Sequence, residues 1–367
     1  MKDNMIQNRL TAIRKKFDKW EVDGLLISSA MNRRWLSGFT GSAGQLLITR
    51  DQALLATDFR YWEQAIAQAP AFTLFKHQRT EKDTADFLAA ATATAAGVSK
   101  IGLEAQHMTL DEAAKLKKVA GVAWTPLADT AESLRQIKSQ AEIETIRAAA
   151  AITDQAMARF NEMARPGLSE KALAWELEKM MRELGADGMA FDVIVASGPN
   201  AALPHHRPGA RKLQAGDAII VDMGAKIDGY HSDMTRSFFL GSEPDAQYWA
   251  IYNLTLEAFT AVLDNIKPGM NGKEVDALAR DVIAAAGHGD HFGHGLGHGV
   301  GLFIHEAPHL STRAEKETIQ AGMVVTVEPG IYIPGWGGVR IEDLILITET
   351  GFEYLSHCPK IPVIPTH

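Results

Sequence analysis

The sequence predicts an α+β protein in two parts, a smaller α/β domain over residues 1–132 and a larger, internally duplicated domain over 133–367. Three observations predict it. The chain has 367 residues, more than a single core usually serves at roughly 150 residues per domain. Its texture changes near Arg135, where short alternating helix and strand patterns give way to a long Ala-rich helix. Beyond that point two stretches repeat. ARPGLSEKALAWELEKMMRELG (164–185) is echoed by IKPGMNGKEVDALARDVIAAAG (266–287), and AGDAIIVDMG (215–224) by AGMVVTVEPG (321–330).

In the first part, apolar residues at helical spacing predict a helix over Ile6 to Trp20, and DGLLISS (23–29) reads as a buried strand. GQLLITRDQALLATD (44–58) reads as a hairpin turning at Thr49–Gln52, followed by a helix from Tyr61 to Ala69. ADFLAAATATAAG, KIGLEA and LDEAAKLKKV continue as helix, strand and helix. No catalytic cluster is visible here, so the domain reads as a substrate-covering or dimerising part. In the second part, KSQAEIETIRAAAAITDQAMARFNEMA is a long amphipathic helix with Ser139 at its N-cap. The repeat that follows lays Pro166, Gly167 and Gly185 over Pro268, Gly269 and Gly287, and Asp222 over Glu328. Each half therefore reads as helix, a strand bearing a carboxylate, a Gly turn and a second strand. Packed about a pseudo-twofold, the halves bring Asp222 and Glu328 face to face.

Composition sets limits. Hydrophobic residues make up 46% and charged residues 22%, as in ordinary soluble proteins. A net charge of -8 argues against nucleic acid as the main partner. The one cysteine, Cys358, excludes an intrachain disulfide and any multi-thiolate metal site. The N-terminal segment lacks the apolar run of a secretory signal and no window approaches a membrane span, so the expected location is cytoplasmic, with no membrane partner.

The chemistry lies in the repeated strands. Asp222 follows three β-branched residues, and Asp233 opens the return strand after a turn at Asp228–Gly229. Glu328 ends VVTVEPG, and Glu342 follows in GGVRIED across a second Gly/Pro-rich turn. Four carboxylates in one apolar β core repel one another, so cations must sit among them. Two divalent ions bring four positive charges against four negative, and oxygen ligands with an imidazole suit Mn, Co, Fe or Zn. HFGHGLGHGVGLFIHEAPHL (291–310) supplies the imidazole, and spacing alone does not choose among His291, His294, His298 and His305. A loop, ASGPNAALPHHRPG (196–209), adds His205 and His206.

The motifs Asp222-x10-Asp233 within GYHSDMTR, His298 within GHGVG, His305 in HE, Glu328 in VEPGIY and Glu342 in GGVRIED resemble the metal-dependent pita-bread peptidases. That family includes aminopeptidase P, prolidase and methionine aminopeptidase. The resemblance covers nearly the whole chain. It implies a duplicated pita-bread domain behind a creatinase-like N-terminal domain, with two divalent ions, Mn foremost, held by Asp222, Asp233, His298, Glu328 and Glu342. By the same resemblance Glu328 is also the catalytic proton carrier. His305 and His205 are catalytic and substrate-binding, His294 is substrate-binding, and Arg340 orients a ligand carboxylate. NRRWLSGFTGSAG (32–44) and TDFRYWEQA (57–65) look more like aminopeptidase P than prolidase, so the activity expected is removal of a residue preceding proline in the second position, with Xaa-Pro dipeptidase as the alternative. The proline pocket is expected to use Phe292 and Tyr332. A metal-free creatinase-like amidinohydrolase or a binding module is disfavoured because all five ligand positions are filled. The N-terminal domain implies a homodimer.

Overall fold

The computed structural model describes residues 2–78, 86–87, 98–118 and 121–365. The chain divides into two compact units, Met1–Arg135 and Gln136–His367. The division lies just beyond the expected 132/133 boundary because the short helix Glu132–Arg135 is tied to the first unit. Asn32 donates to Glu132 at 2.6 Å and accepts from Arg135 at 2.7 Å.

The first unit is built on a six-stranded mixed sheet. In spatial order its strands are Thr73–His77, Ala53–Asp58, Gln45–Thr49, Gly24–Ile27, Lys100–Glu104 and Ala123–Leu127. The hairpin turns at Thr49–Gln52 as expected, with Thr49 N–H donating to the Gln52 carbonyl at 2.9 Å. The N-terminal helix differs: it runs Lys2–Arg14, breaks at Lys15–Lys16 and resumes over Phe17–Trp20. The helix expected from Tyr61 runs Trp62–Gln68 after a 3-10 turn. Two edge strands were not apparent in the sequence. One of them, Ala123–Leu127, holds Pro126, which only an edge position tolerates. The helix expected over 85–97 lies almost entirely outside the described residues, whereas the next, Leu110–Leu116, begins with a capping box between Thr109 and Glu112.

The second unit is a true duplication. Each half has two helices, Gln140–Met163 with Glu170–Glu183 and Ala246–Asn265 with Gly272–Ala285. Each has an antiparallel set of three strands. In one half these are Ile194–Ser197, Ala218–Met223 and Met234–Leu240; in the other they are Gly297–Gly299, Val324–Val327 and Asp343–Ile347. The repeat extends to backbone conformation: Gly167 and Gly269, Gly185 and Gly287, and Gly216 and Gly322 all have positive φ.

Side-chain alternation then sorts the two faces of each sheet. Ile219, Val221, Met223, Met234 and Phe238 pack under the first helix pair, and Val325, Val327, Ile345 and Ile347 under the second. The opposite faces carry Asp222, Asp233 and Thr235 in one half, and Thr326, Glu328 and Glu342 in the other. Burying the apolar faces thus turns four carboxylates inward. Among the described residues no helix is long and apolar enough to cross a membrane.

Candidate metal centre

Register explains how each half pairs its carboxylates. Asp222 stands opposite Thr235, so Asp233, two residues before Thr235 and just ahead of the strand, is its diagonal neighbour. Val327 stands opposite Asp343, which brings the next residues outward, Glu328 and Glu342, across from each other. A small hairpin separates the carboxylates in each half. The first turns at Asp228–Gly229, both with positive φ, and the second is Gly330–Ile333 with Gly337–Arg340.

The halves meet at these residues. One oxygen from each of Asp222, Asp233 and Glu342 lies within 4.8 Å of the others. His298 Nε2 is 3.6 Å from Asp233 Oδ2 and 3.5 Å from Glu328 Oε1. His298 reaches this point because Gly297 and Gly299 flank it: a Cβ on Gly297 would stand 2.2 Å from the Thr326 carbonyl oxygen, and one on Gly299 2.4 Å from that of Ala307. The imidazole sits against His305, ring centroids 4.3 Å apart.

Hydrogen bonds fix the ligand orientations. Thr235 Oγ1 donates to Glu342 at 2.7 Å, and Thr326 Oγ1 donates to Glu328 at 3.3 Å. Arg340 Nη2 donates to Asp222 Oδ2 at 2.7 Å, leaving Asp222 Oδ1 buried without a partner. Arg340 Nη1 donates to the Tyr332 hydroxyl at 2.9 Å, and that hydroxyl in turn meets His294 Nε2 at 2.8 Å. His294 Nδ1 is 2.7 Å from its neighbour's carbonyl oxygen, on Gly295. Both His294 nitrogens are therefore engaged within the protein, and its ring lines the cavity. Replacing Tyr332 with Phe should leave His294 Nε2 unpartnered and lower unfolding free energy by about 1–3 kcal/mol, measurable by denaturant titration.

The electrostatics demand a cation. Burial, then neighbouring carboxylates, push Asp233 and Glu342 well above the usual range, and burial pushes Glu328 up to about 8. Asp222 is also raised by burial, against the pull of Arg340. Burial lowers His298 to about 3, so its imidazole is neutral at ordinary pH. Its Nδ1–H is directed to the Gly299 carbonyl at 3.1 Å, which turns the Nε2 lone pair toward two carboxylates. A lone pair facing carboxylate oxygens, with an orphaned Asp222 oxygen beside them, fits divalent ions bound by Asp222, Asp233, His298, Glu328 and Glu342.

A cavity of about 680 Å³ opens over this cluster. Its wall includes Phe191, Ile194, Pro204, His205, His305, His309 and Arg313. His206 also lines the cavity, its ring meeting Glu170 at 2.8 Å, whereas His291 lies outside it and pairs with His288 at 3.1 Å. Phe292 is buried against Arg280 and His294, and Tyr332 is occupied as above, so neither forms the apolar wall expected of them. Thr235 and Thr326 were missed in the sequence, although each stands two residues from a carboxylate on the same strand face.

A duplicated α+β unit closing four carboxylates and one neutral imidazole beneath a substrate-sized cavity defines a metal-dependent hydrolase. Residues 144–349 match the model of metallopeptidase family M24, and 9–137 match the creatinase/prolidase N-terminal domain. The chain belongs to metallopeptidase family M24 and has its pita-bread fold. It is 45% identical to an uncharacterised peptidase of Bacillus subtilis over 97% of this chain and 99% of that one. The structure of an Xaa-Pro dipeptidase from Bacillus anthracis superposes with a TM-score of 0.93 at 40% identity, covering 98% of this chain and 99% of the other. That of an X-Pro aminopeptidase from Thermotoga maritima gives 0.87 at 34% identity, covering 95% and 100%.

Proposed function

We propose that this chain is an Xaa-Pro dipeptidase, with Mn the foremost of the ions its oxygen- and nitrogen-rich site suits. The observation that carries the reading is the inward-facing carboxylate cluster with its neutral imidazole, in a chain so similar along its length to a protein named Xaa-Pro dipeptidase. Asp222, Asp233, His298, Glu328 and Glu342 would hold two divalent ions, which would supply Lewis-acid polarisation of the scissile carbonyl. The protein's own groups do the rest. Glu328 takes the proton of the attacking water and passes it to the leaving proline nitrogen. His305 and His205, on the cavity wall, donate to the carbonyl oxygen as it gains negative charge. Arg340 holds Asp222 by Oδ2 and leaves Oδ1 free to serve as a ligand. The substrate's free α-amine lies against the acidic cluster, which makes the enzyme an exopeptidase.

This reverses the order expected from the sequence, where aminopeptidase P came first. A dipeptide leaves a free carboxylate beside the proline ring, and the cavity wall carries Arg207 and Arg313 to receive it. The aminopeptidase reading is retained as second because of the likeness to the Thermotoga maritima structure. Steady-state kinetics with Gly-Pro and Arg-Pro-Pro separate them. We expect kcat/KM at least about tenfold higher for the dipeptide, a preference of about 1.4 kcal/mol in transition-state binding. Preference for the tripeptide would select the second reading, and cleavage of neither would refute both.

A further inference from the structure

We infer that Glu170 is a positioning residue for His205, stapling both ends of the loop that carries it into the cavity; this rests on the catalytic role proposed for His205. The loop needs such a device. Residues 203–210 belong to no helix or strand, and Leu203 is 52% exposed, so neither a ladder nor a core holds them. The internal backbone bonds are few: Leu203 N–H donates to Asn200 and His206 N–H to Leu203.

The side chain of Glu170 is wholly buried and takes five hydrogen bonds, all from residues between Ser197 and Gly209. Oε1 accepts from Ser197 N–H at 2.9 Å, Ser197 Oγ at 2.7 Å and Asn200 Nδ2 at 2.9 Å, at the loop's entry. Oε2 accepts from His206 Nε2 at 2.8 Å and Gly209 N–H at 3.2 Å, at its exit. His205 lies between the two sets of anchors. Backbone bonds from the same helix start reinforce the exit, with Glu170 N–H donating to the Arg211 carbonyl and Lys171 N–H to that of Gly209. Burial opposes the charge of Glu170, but bonds from Asn200, His206 and Ser197 hold its carboxyl below the ordinary range.

The duplication shows that the fold itself does not require this carboxylate. Ser169 and Asn271 are equivalent N-caps, and the residue after Asn271 is Gly272. Gly272 N–H makes the equivalent backbone bond, to Glu317, at 2.8 Å. The second half therefore builds the same helix start without a staple. What distinguishes the first half is a loop that must deliver a histidine to the cavity.

A double-mutant cycle with the metal-loaded full chain and Gly-Pro tests this. Glu170→Gln keeps the shape but presents an NH2 group where donors converge, and should lower kcat/KM roughly 10- to 100-fold through His205 displacement. In a His205→Ala background the same change should have almost no further effect, because the group being positioned is gone. Glu170→Asp should recover part of the loss, and bound metal should stay at the wild-type level in every variant. If Glu170→Gln does not fold, His206→Ala removes one exit anchor and should show the same non-additivity. An equal loss in both backgrounds would mean that Glu170 only supports the fold, and overturn the inference. So would full activity of Glu170→Gln beside an impaired His205→Ala, which leaves the role of His205 standing. Full activity of His205→Ala would overturn that role and the inference together.

Discussion

Stripping the metal with a chelator should abolish turnover and, in the same step, reverse the pH dependence of thermal stability. Without cations the carboxyls share a buried site, and burial, with Asp222 beside it, raises Glu328 from an ordinary 4.5 to about 8. An unfolded chain ionises this group near pH 4.5. Between that pH and about 8 the folded chain retains a proton that the unfolded chain has released, so metal-free stability falls as pH rises and levels off above the window. Asp233 and Glu342, also raised, act in the same direction. With ions bound, the carboxylates are ionised in the folded state and protons compete with the metal, so stability should climb with pH over the same interval. Glu328 alone can contribute a few kcal/mol to the divergence, since every tenfold change in its proton affinity is worth about 1.4 kcal/mol. Melting curves at pH 5, 6.5 and 8, with chelator or with excess Mn, measure it. Parallel profiles in the two conditions would remove these carboxylates from any metal site.

Much of this site was legible because two periodicities coincide. The repeat laid Asp222 on Glu328, and strand alternation placed each on the face away from the helices. The glycines flanking His298 could be read as permitting close approach, and they do. What could not be read depends on contacts between segments distant in sequence. Nothing local in HFGHGLGH tells that His294 meets Tyr332, or that Arg340 holds both Tyr332 and Asp222; spacing therefore left four histidines equal, and the resemblance, not the spacing, singled out His298. Phe292 resembled a pocket residue because aromatic character does not reveal which face is covered. Glu170 is an acidic residue in a helix's first turn, and only the chain folded over it gives it five donors. In the first unit, Lys15 and Lys16 interrupt a helix whose apolar spacing continues through them, since tertiary packing decides where a helix bends.

Replacing Glu328 with Gln should lower kcat by about 10²- to 10⁴-fold, the span that a positioned proton carrier contributes. The amide keeps one ligating oxygen and the side chain's shape, so saturating Mn should restore most of the metal content while activity stays low. A second measurement separates lost chemistry from a damaged fold. Glu328 is one of four carboxyls in the metal-free site, where burial and the neighbouring Asp222 make its ionisation costly, and the substitution removes that ionisation. The metal-free variant should therefore melt above the metal-free wild type at pH 8, where the wild-type cluster is most strained, and the gap should close toward pH 5, where Glu328 is protonated in the native chain. A variant that is inactive yet more stable without metal is what a catalytic carboxylate held at the expense of stability produces. Wild-type turnover in the loaded variant would take Glu328 out of the mechanism. Lower stability of the metal-free variant at pH 8 would mean that its hydrogen bond to Thr326 outweighs the repulsion, and that the cluster is less crowded than the distances between its oxygens and His298 Nε2 imply.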